Sequence, residues 1–194
     1  MIPELIVIAL IVGWLSGGKF LRLADIHIKH VWLLAVTLFL YFAAWGFRLK
    51  LGTAHFEWLY GAMFIASRLA LLGLVVANIR VPGAKLILIG MVLNLIAITS
   101  NHCTMPARAE AIGDVYGSAY LAYFKTAPHI QSALLDASSK AKFLCDNIAM
   151  RKPYALVPEV VSVGDVTMSV GILLAIVGIM RTPLPKEKVF AKTA

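Results

Sequence analysis

The chain has 194 residues, 60% of them hydrophobic and only 14% charged, with a formal net charge of +8. A soluble domain is about half apolar and about a quarter charged, so this composition, with a mean hydropathy of +0.84, points to a bilayer as solvent. The basic excess does not point to nucleic acid, because Lys and Arg are scattered between apolar segments with no run or stripe. The length suits one membrane domain and leaves no room for a separate catalytic domain of ordinary size.

The opening MIPELIVIALIVGW carries Glu4 where a signal peptide carries basic residues, and no small-x-small cleavage site follows it. It reads as a retained first helix. A bilayer-crossing helix needs roughly 17–25 mostly apolar residues. Five segments are candidates: 2–17, 31–47, 57–78, 85–100 and 160–180. The predicted fold is therefore all-α integral membrane, with five transmembrane helices and a long, partly helical outer loop between the fourth and fifth. Gly13 and Gly17 place a GxxxG pattern on the first span, a sign of close helix packing. Trp14, Trp32, Tyr41, Trp45, Trp58 and Tyr60 fall mostly near span ends, as an interfacial aromatic belt requires.

Orientation follows from Lys and Arg in the short segments. Lys19, Arg22, Lys29, Arg80, Lys85, Arg181, Lys186, Lys188 and Lys192 fall on one side, against Arg48 and Lys50 in the short loop after the second span. The expectation is a multi-pass protein of the bacterial cytoplasmic membrane, N-terminus out and C-terminus in, with 181–194 a basic cytoplasmic tail. Arg108, Lys125, Lys140, Lys142, Arg151 and Lys152 lie in the long outer loop, but long loops translocate largely regardless of charge.

That loop, 101–153, is too long for a simple connection and is expected to have structure of its own. Two amphipathic helices are predicted in it. One places Ile112, Val115, Ala119 and Tyr123 on a single face. The other runs through Ile130, Leu134, Ala137, Ala141, Leu144 and Ile148, with Pro128 between the two. The second would cap the bundle, lie on the outer membrane surface or dock a partner. Capping suits its mixed charges, since a free surface helix is usually Lys/Arg-rich on its polar face.

Both cysteines, Cys103 and Cys145, fall in this loop. In an oxidising compartment the expectation is a disulfide between them. Two unpaired thiols are an alternative. A soft-metal site at ITSNHCTMP, from His102, Cys103 and Met105, is a third, and would need a second His such as His55 or His129. No metal is predicted.

A charge at mid-span costs at least about 2.5–3.5 kcal/mol on insertion scales, so Arg68 needs a partner or a wet cavity. Asp165 is expected about one and a half turns inside the last span. Asn94 lies mid-span in the fourth, and Ser67 and Thr167 at similar depth. A buried Arg68–Asp165 pair with Asn94 would be either a clamp between helices or the polar floor of an outward-facing cavity. Asn101 and His102 sit where the loop meets this layer. The predicted ligand-binding or structural cluster is thus Arg68, Asn94, Asn101, His102 and Asp165.

The sequence has no C-x-x-C-H, Walker A, GxGxxG, HExxH or GxSxG motif. No cofactor is predicted, and an enzyme would have to rest on His102 or His129 acting with Asp165. Two function classes remain. The first is an accessory or structural subunit of a membrane complex, with a protein partner or a second copy. The other is a binding or transport protein for a small amphiphile such as a quinone or lipid.

Several short stretches share a pattern. They are Gly17, Gly18, Lys19 and Arg22 after the first helix, and Asn101, Met105 and Pro106 at the exit of the fourth. They continue with His129 to Asp136, Leu144 to Ile148, and Ser162, Gly164, Asp165 and Val166 at the start of the last. Together they resemble an uncharacterised bacterial family of small polytopic integral membrane proteins, a domain of unknown function. The resemblance implies the topology and carries no activity. His102, Cys103 and Cys145 stand where that family has small residues, which marks the cysteines as a local variation.

Overall fold

A computed structural model describes residues 2–51, 57–126, 132–152, 155 and 157–182. Its helices are α1 (Ile2–Leu15), α2 (Leu21–Ala24), α3 (Trp32–Leu51), α4 (Glu57–Ala77), α5 (Ala84–Ser100), α6 (Ala109–Tyr116), α7 (Ser118–Thr126) and α8 (Val163–Arg181). Every apolar segment predicted to span forms a helix. Among the described residues only two of these, Trp58–Ala77 and Val163–Arg181, are long and apolar enough to cross a membrane. The apolar stretches Glu4–Leu15, Trp32–Gly46 and Ala84–Ser100 are shorter, so length does not support five spans. At about 1.5 Å per residue α4 extends about 31 Å and α1 about 21 Å, against a hydrocarbon core of about 30 Å.

The first helix is short because of its own glycines. Gly17 is left-handed at φ +82°. The Gly18 N–H donates to the Gly13 carbonyl at 2.9 Å and the Gly17 N–H to the Trp14 carbonyl at 3.0 Å. This is a Schellman ending, which needs a residue without Cβ at the left-handed position. The predicted GxxxG packing therefore holds at one glycine only. A Cβ on Gly13 would come within 2.5 Å of the Met180 sulfur, whereas nothing lies within 4 Å of one on Gly17.

The long helices pack in a row, α3, α4, α5, α8 and α1, so the last helix inserts between the fifth and the first. The Lys19 N–H donates to the Met180 carbonyl at 2.9 Å, joining the C-terminal ends of α1 and α8. At the other end the Val157 N–H donates to Glu4 Oε1 at 2.8 Å. Helices α1 and α8 are therefore parallel, and α5 is antiparallel to both. The α5–α8 contact is close. Gly83 and Gly90 on one side, and Gly164, Gly171 and Gly178 on the other, recur every seven residues, or two turns, and so share a face. A Cβ on Gly171 would lie 2.7 Å from both Cγ1 and the backbone nitrogen of Ile87.

The described residues between 101 and 161 form a cap over one end. The first predicted loop helix is present but split into α6 and α7 at Gly117, whose φ is +86°. The second is absent among the described residues. Its place is taken by β2 (Ser132–Leu134), a 3-10 turn (Lys142–Leu144) and β3 (Ile148–Met150), joined by β1 (Met105–Ala107) and β4 (Glu159–Val161). The fold is mostly helical but not all-α. Strand β1 pairs parallel with β2, and β3 antiparallel with β4. Asp136 Oδ1 accepts from the N–H groups of Ser138 at 2.8 Å and Ser139 at 2.9 Å. Such local bonds compete with the helix ladder, and Ala141 is left-handed at φ +48°. Ala107, Ile112 and Phe124 form the cap's own core, with Leu121, Leu134 and Val160 packed on it.

Both thiols are free, and the expected disulfide is not formed. Cys103 sits against Gly61 of α4, and the Cys145 thiol donates to the Ala141 carbonyl at 3.6 Å and the Lys140 carbonyl at 3.7 Å. Burial pushes both thiols up from their ordinary pKa, so neither is an activated thiolate. Among the described residues no group of three or more His, Cys, Asp and Glu is arranged to hold a metal. His55, His129, Ile130 and the tail from 183 onward lie outside the described residues.

Candidate functional site

A cavity of about 350 Å³ lies between α4, α5 and α8, directly beneath the cap. Helical spacing builds its walls. Phe64, Arg68 and Leu71 stand one turn apart on α4, and Met91, Asn94 and Ile98 do the same on α5. Asp165 and Met168 enter from α8, while Met105, Ser132 and Asp146 form the roof. Three of the predicted cluster residues, Arg68, Asn94 and Asp165, thus meet at one chamber.

Arg68 makes no hydrogen bond or ion pair among the described residues, and its Nε is buried without a partner. Its guanidinium lies 4.7 Å from the centroid of the Phe64 ring, a cation–π contact. The predicted direct pair with Asp165 is not made, because Asp165 is engaged elsewhere. Helix α8 begins at Val163, so Asp165 lies in its first turn and not one and a half turns deep. Ser162 and Asp165 form a capping box. The Asp165 N–H donates to Ser162 Oγ at 3.0 Å, and the Ser162 N–H to Asp165 Oδ2 at 2.9 Å. Asn94 Nδ2 then donates to Asp165 Oδ1 at 2.7 Å, and Ser162 Oγ lies 2.8 Å from Asn94 Oδ1. The Ser-x-x-Asp spacing before an apolar run is itself a capping-box signature, and it places this helix start.

Replacing Ser162 by Ala removes the cap and one of Asn94's partners. The expected loss is about 0.5–2 kcal/mol from the cap alone, visible as a lower melting temperature in detergent. An unchanged melting temperature would show that the box contributes nothing.

Asn101 and His102 do not join the chamber. Asn101 is buried and acts as a tether. Its Nδ2 donates to the Ala97 carbonyl at 2.7 Å and the Lys140 carbonyl at 3.0 Å, and its Oδ1 accepts from the Lys140 N–H at 2.8 Å. It thus fastens the cap to the end of α5. His102 is exposed, in the left-handed region at φ +52°. Ser67 and Thr167 donate to carbonyls of their own helices, those of Phe64 and Val163.

Asp146 is the site residue that sequence reading misses, because it falls on the polar face of a helix that does not form. Its backbone bridges to the first strand instead. The Arg108 N–H donates to the Asp146 carbonyl and the Asp146 N–H to the Pro106 carbonyl, both at 2.9 Å. The side chain is left in the roof with Oδ1 buried and unpartnered. Burial, and then the charge of Asp165, push its pKa up to about 7.

This has a measurable consequence. Between about pH 4 and 7 the unfolded chain has released this proton while the folded chain still holds it, so stability falls as pH rises through that window. The full effect is about 4 kcal/mol at most, since each tenfold change in proton affinity is worth about 1.4 kcal/mol. Asp146→Asn should flatten the dependence of melting temperature on pH between about 4.5 and 7.5. An equal slope in both proteins would rule out this origin.

A bundle with two membrane-length helices and a small α/β cap over a partly open, mostly apolar cavity defines the class: a mostly helical protein with a cavity beneath its cap. Residues 25–177 match a family of unknown function, DUF5317, and the chain belongs to that family. The matched region contains every residue that lines the chamber. No curated protein and no solved structure matches the chain.

Proposed function

We propose that this is a multi-pass protein of the bacterial cytoplasmic membrane that binds a small amphiphile in the chamber beneath its cap. The observation that carries the reading is Arg68, a half-buried side chain lining the cavity, with Nε buried and unpartnered and no hydrogen bond or ion pair among the described residues. A clamp would have consumed its donors. An empty cavity in a packed core would be lined by apolar atoms only.

Membrane placement is supported by the bundle surface. Only 22% of the spanning window of α4, and of α8, is buried. Val7, Trp14, Phe39, Trp58 and Val170 are among many large apolar side chains left exposed. Water tolerates such continuous apolar surface poorly, and lipid does not oppose it. The shorter helices are accommodated by local thinning of the bilayer. The end opposite the cap carries Lys19, Arg22, Lys29, Arg80, Lys85 and Arg181 in or beside short connections, which supports a cytoplasmic C-terminus and an outward cap.

The chemistry of the walls selects the ligand class. Arg68 offers only donors. Asp165 is saturated by Asn94 and its own cap. Asp146 retains a proton up to about pH 7 and so adds a further donor. The complementary head accepts hydrogen bonds, as quinone or lipid-ester carbonyls do, while Leu71, Leu72, Leu95 and Met168 receive an apolar body. Solvent extraction of protein purified with native lipids, followed by mass spectrometry, should give one such compound per chain. A chamber that yields none would sink the proposal.

The accessory-subunit reading has one observation in its favour. Tyr116, Tyr120 and Tyr123 form an exposed ladder on the cap, with successive ring centroids 4.8 and 6.3 Å apart, and Tyr is enriched at protein interfaces. A native mass well above one chain, with no small molecule retained, would favour that reading.

A further inference from the structure

At the end of the bundle opposite the cap lies a second cavity, of about 560 Å³. Three separated stretches build it: the α1–α3 connection, the turn between α4 and α5, and the last turn of α8. Arg22, Lys29 and Arg80 all line it, with His27 and a single acid, Asp25. We propose that this crevice binds the phosphate of an anionic phospholipid. The proposal rests on the reading that the bundle sits in a bilayer.

Cations near helix C-termini often serve the helix dipole, and Arg22 does so in part. Its Nη1 donates to the Met180 carbonyl at 2.9 Å. That bond also holds the guanidinium in place, and its Nε remains buried without a partner. Lys29 and Arg80 are not used this way. Both are exposed, and their side chains make no hydrogen bond or ion pair among the described residues. Asp25 pairs with none of the three. The crevice is nonetheless built, not fortuitous. Asn78 accepts from the Lys29 N–H at 2.8 Å and returns a bond to the Lys29 carbonyl at 2.9 Å, pinning the linker that carries Lys29 to the turn that carries Arg80. Three cations are thereby held around one opening with no anion among the described residues paired to them.

The flanks distinguish a lipid from a free anion. Phe20, Leu21, Ile28, Val31 and Trp32 are exposed on the same linker, Leu21 at 78%. They interleave with the basic residues, so a head in the crevice leaves its acyl chains against apolar surface. A free phosphate has no use for that surface. Basic pockets between helices on the cytoplasmic side suit acidic head groups.

The test uses the full-length protein in nanodiscs of phosphatidylglycerol or phosphatidylcholine, read by native mass spectrometry for lipids that survive release. Phosphatidylglycerol should remain bound and phosphatidylcholine should not. The double variant Lys29→Gln/Arg80→Gln should lose at least four-fifths of the retained phosphatidylglycerol. Arg68→Met, altered only in the other cavity, should keep it. Equal retention of both lipids, or full retention by the double variant with an unchanged circular dichroism spectrum, would overturn the assignment. So would stabilisation by inorganic phosphate equal to that by phosphatidylglycerol, which would mark a site for free anions. Release of the protein from membranes by alkaline carbonate would instead remove the bilayer reading itself.

Discussion

Arg68→Met is expected to raise the melting temperature and, in the same protein, to empty the chamber of its ligand. Methionine has a similar reach and no charged or strongly polar group. The wild-type side chain is half-buried, its Nε is buried without a partner, and it makes no hydrogen bond or contact ion pair among the described residues, so it carries part of the several kcal/mol that a fully buried ion costs after relaxation. Against this stands the contact with Phe64, worth about 0.5–2 kcal/mol. The balance favours the variant modestly. A stability gain coupled to lost binding is the signature of a group retained for function. Arg68→Lys keeps the charge but not the planar fork, and should bind more weakly while gaining no stability. If Arg68→Met is instead destabilised by several kcal/mol, Arg68 is a structural clamp and the binding proposal loses its anchor. The readouts are thermal unfolding in detergent and mass spectrometry of extracted ligand.

Gly171→Leu should be strongly disruptive to the bundle. The first added carbon already meets the side chain and backbone of Ile87 at 2.7 Å, and backbone cannot yield as a side-chain tip does. Overpacking of this kind costs typically about 1–3 kcal/mol. Here the cost should lie at or above the upper end, because α5 and α8 must separate along their length. Separation also pulls Asn94 from Asp165, so ligand retention should fall with stability. Gly46→Leu is the matched control, since nothing lies within 4 Å of the added carbon there, and it should unfold within a degree or two of wild type. Similar melting temperatures for the two variants would show that the glycine seam is not a determinant of the fold.

Part of the site is legible in the sequence. Arg68, Asn94 and Asp165 stand out because polar groups in apolar helices are expensive and must be answered by one another or by a wet space. The fold brings all three to one chamber. For Asn101 and His102 the sequence offers only their position in the chain. Position along a helix exit does not say which way a side chain turns, and Asn101 turns to hold the cap while His102 faces outward. Asp146 is hidden in the sequence because its surroundings, from Ile130 to Ile148, carry apolar residues at four- and three-residue steps. That spacing mimics a helix, but Asp136 and its following serines spend their hydrogen bonds locally and break it.

What the sequence determines by itself is local or compositional. The mean hydropathy, the apolar helices, the need to answer Arg68 and the helical start of the cap all follow from residue type and spacing. Tertiary structure alone decides the rest. It inserts α8 between α5 and α1 through glycines far apart in the chain, and leaves both thiols free. It also pairs β1 with β2 across the intervening helices α6 and α7, and the bridge from Ala107 to Asp146 places Asp146 over the chamber. These outcomes depend on which surfaces meet, and a spacing rule within one segment carries no information about the surface that will be opposite.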